Sequence, residues 1–249
     1  MDNESNSEPI VIENLHKKFG DHTVLNGITL HVKRGETVAV LGRSGIGKSV
    51  LLKLIIGLEP SDSGSVKIEG QEITSLDLKQ LNEVRKRIGF LFQQAALYDS
   101  LTVEENVAFP LSRHTNMPVA DQLKRVRELL GGVGMEQDLE KMPSEISGGM
   151  QKRVGLARAL ALDPSILLFD EPTAGLDPIT AAEIGKLILE LKQKREMTAI
   201  VVTHDIRGAK TFSDRMVLIH EGNILADGPL AELQKSKDPF VIQFLKDSS

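Results

Sequence analysis

Three short stretches of this chain carry side chains that could act on a phosphate chain. The first is Gly42-Arg43-Ser44-Gly45-Ile46-Gly47-Lys48-Ser49. It has the spacing G-x-x-x-x-G-K-[ST] of a phosphate-binding loop. Its glycines let the backbone curl until successive N–H groups face an anion. Lys48 adds a positive charge that can reach the β- and γ-phosphates, and the Ser49 hydroxyl can hold Mg²⁺.

The second stretch is Asp170-Glu171, at the end of the apolar run Ile166-Leu167-Leu168-Phe169. A buried strand ending in Asp places a carboxylate at the sheet edge where ligands of open α/β sheets sit, so Asp170 can hold Mg²⁺ directly or through water. Glu171 can orient and polarise a water beside a γ-phosphate. Because a carboxylate is a weak base, placing that water matters more than taking its proton. His204 follows another apolar run, Ile200-Val201-Val202-Thr203, and could hydrogen-bond the same phosphate. The third stretch, Ser147-Gly148-Gly149, opens a helix and combines a hydroxyl, bare backbone N–H groups and a helix dipole. An ordinary N-terminal turn has the same composition. If it binds phosphate, one chain cannot readily bring it to its own loop, and a dimer in which each chain covers the other's nucleotide is the economical arrangement.

The elements that must position these residues follow from periodicity. Thr37-Val38-Ala39-Val40-Leu41 reads as a buried strand before the Gly-rich loop, and Val50 to Ile56 as a helix closed by Gly57. Strands are expected to begin at Ile10, with a turn at Phe19-Gly20-Asp21, and to run from Val24 to Val32, 65–70 and 88–92. Phe19 is either a core or turn aromatic or a ring able to stack on adenine. Leu76, Leu78, Leu81 and Val84 suit a short helix. Thr102-Val103-Glu104-Glu105 is a capping box, so a helix starts near Val103. Residues 121–130 are amphipathic, with Leu123, Val126, Leu129 and Leu130 on one stripe. From Val103 to about residue 161 no strand signal appears. Further strands are expected at 166–170, 198–203 and 215–220, with helices at 181–195 and 206–212. The pattern is an α/β core with a largely parallel sheet, antiparallel strands at the N-terminal end and an inserted helical subdomain.

Composition bounds the partners. The 249 residues are 41% hydrophobic with a net charge of −5 and no long basic run, which argues against nucleic acid. There is no Cys, hence no disulfide and no thiolate metal site. Residues 1–8 are polar and acidic, unlike a signal peptide, and are expected to be disordered. No apolar stretch approaches a membrane span, so the chain is expected to be soluble and to meet a membrane only through a partner.

Taken in order, these motifs resemble the ATP-binding subunit of ABC transporters, over essentially the whole chain. The set is the P-loop at 42–49, Q-loop Gln93, signature Ser147-Gly148-Gly149, Walker B Asp170 and Glu171, D-loop Ala174-Gly175-Leu176-Asp177 and switch His204. The resemblance implies a P-loop NTPase (RecA-like) fold and ATP hydrolysis with Mg²⁺. Glu171, His204 and Gln93 would then be the catalytic set, and Ser49, Gln93 and Asp170 would hold the metal. Phe19 would stack on adenine, and Asp177 would face nucleotide. It also implies a head-to-tail homodimer with ATP sandwiched between the P-loop of one chain and the signature of the other. The implied division is one domain over 1–249, with a nucleotide-binding core at 1–93 and 160–227, the helical subdomain at 94–159 and a C-terminal helical tail at 228–249. The family's usual Leu-Ser-Gly-Gly-Gln stands here as Ile146-Ser147-Gly148-Gly149-Met150, with Gln151 one place later.

Residues 91–111, the Ser-Gly-Gly-Met signature and the stretch from Asp238 to Leu245 are similar to the ATPase of Mla-type, Mce-linked phospholipid transport systems. That similarity implies integral-membrane permease subunits, a lipid-binding Mce-type protein, and a cytoplasmic location, peripheral on the inner membrane through the permease. A small-solute importer of the amino-acid type and a permease-free ABC ATPase are the alternatives. Ala95, Ala96, Leu97 and Tyr98, just after Gln93, are expected to form an exposed, mostly apolar patch that receives the permease.

Overall fold

The computed structural model describes residues 8–195 and 197–246. The chain begins β1 (Ile10–Phe19), β2 (His22–Val32), β3 (Thr37–Leu41), α1 (Lys48–Ile55), β4 (Ser63–Ile68), β5 (Gln71–Glu72), α2 (Leu78–Arg85) and β6 (Ile88–Leu91). A helical stretch follows: α3 (Val103–His114), α4 (Val119–Gly132), a 3-10 turn (Pro143–Glu145) and α5 (Gly148–Ala159). It closes with β7 (Ile166–Asp170), α6 (Pro178–Arg195), β8 (Thr198–Thr203), α7 (Ile206–Phe212), β9 (Arg215–His220), β10 (Asn223–Gly228), α8 (Leu230–Leu233) and α9 (Pro239–Lys246). The expected disorder of the N-terminal segment lies outside the described residues, except that Glu8 is described and reaches His31 Nδ1 at 2.9 Å.

Two sheets form. One has four antiparallel strands in the order β2-β1-β4-β5, and the other six in the order β10-β9-β3-β8-β7-β6. In the larger sheet β9, β3, β8, β7 and β6 are parallel, and β10 returns antiparallel on β9. Both faces of its parallel centre are covered, so β3, β7 and β8 are buried along their whole length, as a parallel sheet requires. Val38, Val40, Ile166, Leu168, Ile200 and Val202 pack with α1 and the antiparallel sheet. Ala39, Leu41, Leu167, Phe169, Ala199 and Val201 pack with residues of α3 to α7 on the other face.

Local signals account for the ends of the helices. Thr102 and Glu105 form the expected capping box, with Glu105 N–H to Thr102 Oγ1 at 3.2 Å and Thr102 N–H to Glu105 Oε2 at 2.8 Å. Beyond α1, Gly57 sits at φ 61°. Leu58 N–H reaches the Lys53 carbonyl at 2.8 Å and Gly57 N–H the Leu54 carbonyl at 3.0 Å, the two bonds that close a left-handed helix end.

Several expectations are corrected. Phe19 ends β1 rather than opening the turn, which is Gly20-Asp21. The short second helix starts at Leu78 because Asp77 and Gln80 cap it, and this turns Leu78 outward, 69% exposed, while Leu81 and Val84 stay buried. The sixth helix starts at Pro178, three residues earlier than its apolar period suggests, because Asp177 caps it. Of the expected apolar patch after Gln93, Ala95 is buried and Leu97 packs against the core, leaving Ala96 and Tyr98 at the surface. The cause is Arg158, whose guanidinium takes the Ala96 carbonyl at 2.8 Å and the Ala95 carbonyl at 2.6 Å. Both alanines lie in the left-handed region, at φ 57° and 49°, and the loop folds inward.

Candidate active site

Four parallel strands end at one edge of the large sheet. Leu41 of β3 is level with Thr203 of β8, Val202 with Asp170 of β7, and Phe169 with Leu91 of β6. The segments that follow, 42–49, 204, 171 and 93, therefore emerge side by side although they are far apart in sequence. This is the edge where open α/β sheets bind ligands.

The Gly-rich loop turns from β3 into α1 through Gly45 at φ 80° and Gly47 at φ 103°. A Cβ at Gly47 would lie 2.4 Å from Val24 Cγ1, so only glycine lets the loop close against β2. The first N–H bonded within α1 is that of Leu51, to the Gly47 carbonyl at 3.0 Å. The N–H groups of Lys48, Ser49 and Val50 precede it and remain available at the positive end of the helix dipole. Buried Lys48 Nζ lies 2.9 Å from the Gly42 carbonyl, 3.1 Å from the Arg43 carbonyl and 3.5 Å from Glu171 Oε1.

Asp170 continues the alternation of β7 on the side of Ile166 and Leu168, which is the side of α1. There it accepts a 2.7 Å hydrogen bond from Ser49 Oγ. Burial pushes the Asp170 carboxyl above the usual carboxylate range, and the bond from Ser49 works against that shift. Glu171 breaks the alternation at φ 47°, a conformation uncommon outside glycine. Its Oε2 meets His204 twice, at 3.0 Å from Nδ1 and 3.3 Å from the backbone N–H. A carboxylate held by His204 on one oxygen and facing Lys48 with the other can fix and polarise a water.

Phe19, Ser44, Gly47, Lys48, Gln93 and Glu171 line one cavity of about 310 Å³, with His204 at its wall. The chemistry of this lining fits a nucleoside triphosphate. The Phe19 ring, 47% exposed and with Lys17 Nζ 5.0 Å over its centroid, offers a stacking surface, and the free N–H groups and Lys48 offer an anion cradle in the same cavity. A divalent cation also fits. Among the described residues no three His, Cys, Asp or Glu side chains converge on a metal position. Ser49 and Asp170 supply two hard oxygen donors, and Gln93 lines the same cavity, which suits an ion that takes few protein ligands and completes its shell with phosphate and water.

Ser147, Gly148, Gly149 and Asp177 do not line this cavity. Ser147 caps α5, its hydroxyl 3.2 Å from Met150 N–H. A Cβ at Gly149 would lie 2.4 Å from Thr180 Cγ2, so the signature turn packs directly on the start of α6. Asp177 caps that helix through Ile179 N–H at 3.0 Å, Thr180 N–H at 3.1 Å and Thr180 Oγ1 at 2.6 Å. The hydrogen bonds from Thr180 hold its carboxyl below the usual range.

Three participants are not evident from the sequence reading. Lys152, on α5, is buried and donates to the carbonyls of Gln93 and Glu171. Its signal was its placement on an apolar helix face, three residues after Gly149 and four before Leu156. Arg158, two turns further, holds the Ala95 and Ala96 carbonyls. Phe240 of α9 stacks on His220 with ring centroids 3.7 Å apart and lies 5.3 Å below the guanidinium of Arg43, bringing the C-terminal segment to the Gly-rich loop.

A parallel sheet with a P-loop after its central strand, an Asp-Glu pair ending the strand beyond its neighbour and a helical insertion define an ATP-binding cassette. The chain belongs to the ABC transporter family, whose model matches residues 25–174, and it is an ATPase of that class. It is 41% identical over 244 residues to the intermembrane phospholipid transport system ATP-binding protein MlaF of Haemophilus influenzae, covering 98% of this chain and 92% of that protein. It is 42% identical over 225 residues to the methionine import ATP-binding protein MetN of Brucella abortus, covering 90% of this chain but 61% of that protein. The probable ribonucleotide transport ATP-binding protein mkl of Mycobacterium leprae is 42% identical over 236 residues, 95% of this chain and 68% of that one. Among solved structures, a dimeric, post-hydrolysis ATP-binding cassette bound to ADP and Pi superposes with a TM-score of 0.82 at 36% identity, covering 89% of this chain and 98% of that chain. The cassette cbiO1 of Clostridium perfringens gives 0.83 at 32% identity, covering 92% of each.

Proposed function

We propose that this chain is the ATPase of a phospholipid-moving ABC transporter of the Mla/Mce type. The observation that carries the substrate class is the phospholipid-transport relative, alike over 98% of this chain and 92% of its own length. In this reading ATP occupies the cavity below Phe19, Mg²⁺ is held by Ser49, Asp170 and Gln93, and Glu171 with His204 positions the attacking water. Residues 94–159 form the helical subdomain on the core at 1–93 and 160–227, and 228–249 the tail. Two copies meet head to tail, so that Ser147, Gly148, Gly149 and Asp177 of one face the nucleotide of the other. Their absence from the cavity lining of their own chain supports that arrangement.

The chain works on the cytoplasmic face of the inner membrane, against permease subunits and a lipid-binding Mce-type protein. None of the described helices is long and apolar enough to cross a membrane, and in this reading attachment runs through the permease. The docking site is an open groove of about 420 Å³ lined by Phe90, Phe92, Ala96, Tyr98, Phe109 and Arg158, contiguous with the loop after Gln93. The second reading, an amino-acid importer, is favoured by the equally similar methionine-import relative. The complex that co-purifies with the chain separates the two when reconstituted in vesicles. ATP-dependent movement of labelled phospholipid is the expected result. Stimulation of ATP hydrolysis by a small solute with its binding protein, without lipid movement, gives the case to the second reading.

A further inference from the structure

One face of α5 is built against the loop after β6 and the end of β7. Lys152, Gly155 and Arg158 follow one another at intervals of three, a diagonal stripe along the helix. At the middle position a Cβ would lie 2.8 Å from Leu91 Cδ1 and 3.2 Å from Ala95 Cβ, so the glycine lets the helix approach that closely. At one end Arg158 takes the carbonyls of Ala95 and Ala96. At the other, Lys152 is 4% exposed, and its ammonium donates to the Gln93 carbonyl and, at 3.2 Å, to the Glu171 carbonyl.

A buried ammonium is costly unless its protons find acceptors, and here two backbone oxygens from different catalytic segments meet on one nitrogen. Glu171 is thereby held at both ends of its residue: its N–H bonds the Val202 carbonyl at 2.9 Å and its C=O bonds Lys152. That double anchorage secures a non-glycine residue at φ 47°. Ser147, Gly148 and Gly149 lie one turn or so up the same helix, which is stiff over that length.

We propose that Lys152 is a positioning residue that locks the Gln93 loop and the Glu171 backbone to α5, and so couples this chain's own nucleotide cavity to the Ser147-Gly148-Gly149 turn that it presents to its partner. The coupling to the partner's site rests on the head-to-tail reading above; the lock within one chain does not. The inference predicts that removing the ammonium leaves ATP binding largely intact, because Lys48 and the loop N–H groups are untouched. The water-positioning carboxylate loses its registration, and a displacement of about 1 Å in such a group costs on the order of 100-fold in rate.

The full-length chain is compared as wild type, Lys152→Met and Lys152→Arg, the last keeping donors at the same place. Equilibrium ATP binding, steady-state hydrolysis and amide hydrogen exchange of the nucleotide-free chain are measured for each. The expected result for Lys152→Met is a kcat lower by about 10–100-fold with Kd and KM within about threefold. Exchange should quicken in peptides spanning 92–98 and 169–175 and not elsewhere. Lys152→Arg should recover most of both changes. A Lys152→Met chain with kcat and local exchange within about twofold of wild type overturns the proposal. So does one whose exchange rises throughout the fold while Kd and kcat worsen together, since that is loss of bulk packing. Should the wild-type chain hydrolyse no ATP, the functional reading falls, and the local exchange comparison alone decides the lock.

Discussion

Lys152→Met also carries a thermodynamic signature that can be worked out in advance. Burial pulls the Lys152 ammonium from the ordinary 10.5 down to about 8, against the opposing pull of the Asp170 and Glu171 charges. Between those two values the unfolded chain holds a proton that the folded chain has shed. The wild-type stability therefore rises with pH across this window, and the cost of the buried charge is present in full below it. At about 1.4 kcal/mol per pH unit, the wild type should gain roughly 2–3 kcal/mol on Lys152→Met between about pH 7 and about pH 10. The other groups that titrate in that range are common to both chains. The difference between their urea unfolding free energies, taken at each pH, isolates the amine. The sign matters as much as the size: the variant should compare best with wild type at the low end and worst at the high end. A gap constant to within about 0.5 kcal/mol over the range would mean that the ammonium is not desolvated in the folded chain.

Three further outcomes test the site. Glu171→Gln keeps an acceptor for His204 and loses the charge facing Lys48; turnover should fall by about 10²–10⁴-fold while ATP binding persists and an ATP-bound dimer accumulates in sedimentation. Hydrolysis at the wild-type rate would move water positioning to another group. Ser49→Ala removes the 2.7 Å donor to buried Asp170. It should raise the Mg²⁺ concentration needed for half-maximal hydrolysis by about tenfold and cost about 1–3 kcal/mol of stability, and an unchanged Mg²⁺ dependence would refute the metal assignment. Ala96→Asp places a charge in the groove beside Tyr98 at a left-handed position that Asp tolerates. The isolated chain should hydrolyse ATP within about twofold of wild type and no longer retain its membrane partner on purification. Retention would place docking elsewhere.

The site was legible where chemistry and local pattern coincide. Lys48 and Ser49 stand in a strand–loop–helix frame that has few other uses, and Asp170 and His204 each close an apolar strand, so type and place reinforced one another. The strand order was not legible. That β3 lies between β8 and β9, and that β7 separates β8 from β6, depends on long-range pairing that leaves no local mark. Strand β10 was missed because its burial merely alternates and its residues Asn223, Asp227 and Gly228 weaken a strand signal. The patch after Gln93 was misjudged for a tertiary reason, since Arg158 lies 62 residues from Ala96 and its grip on the loop can be seen only in three dimensions. Lys152 escaped because a lysine in a helix ordinarily faces solvent.

The large sheet divides the molecule by parity. Along β3, β7 and β8, even-numbered side chains enter the core shared with α1, and odd-numbered ones the core shared with the helical insertion; β9 inverts the rule, Val217 and Ile219 belonging with α1, and Met216 and Leu218 with the insertion. Neighbouring residues on one strand thus answer to separate packing environments. A change of volume at Ala39, Phe169 or Val201 is met by residues of α3 to α7, while Val40, Leu168 and Val202 go on supporting the helix that carries Lys48 and Ser49. The packing on one face of the sheet can in this way be altered, one alternate residue at a time, without disturbing the face that supports the phosphate loop.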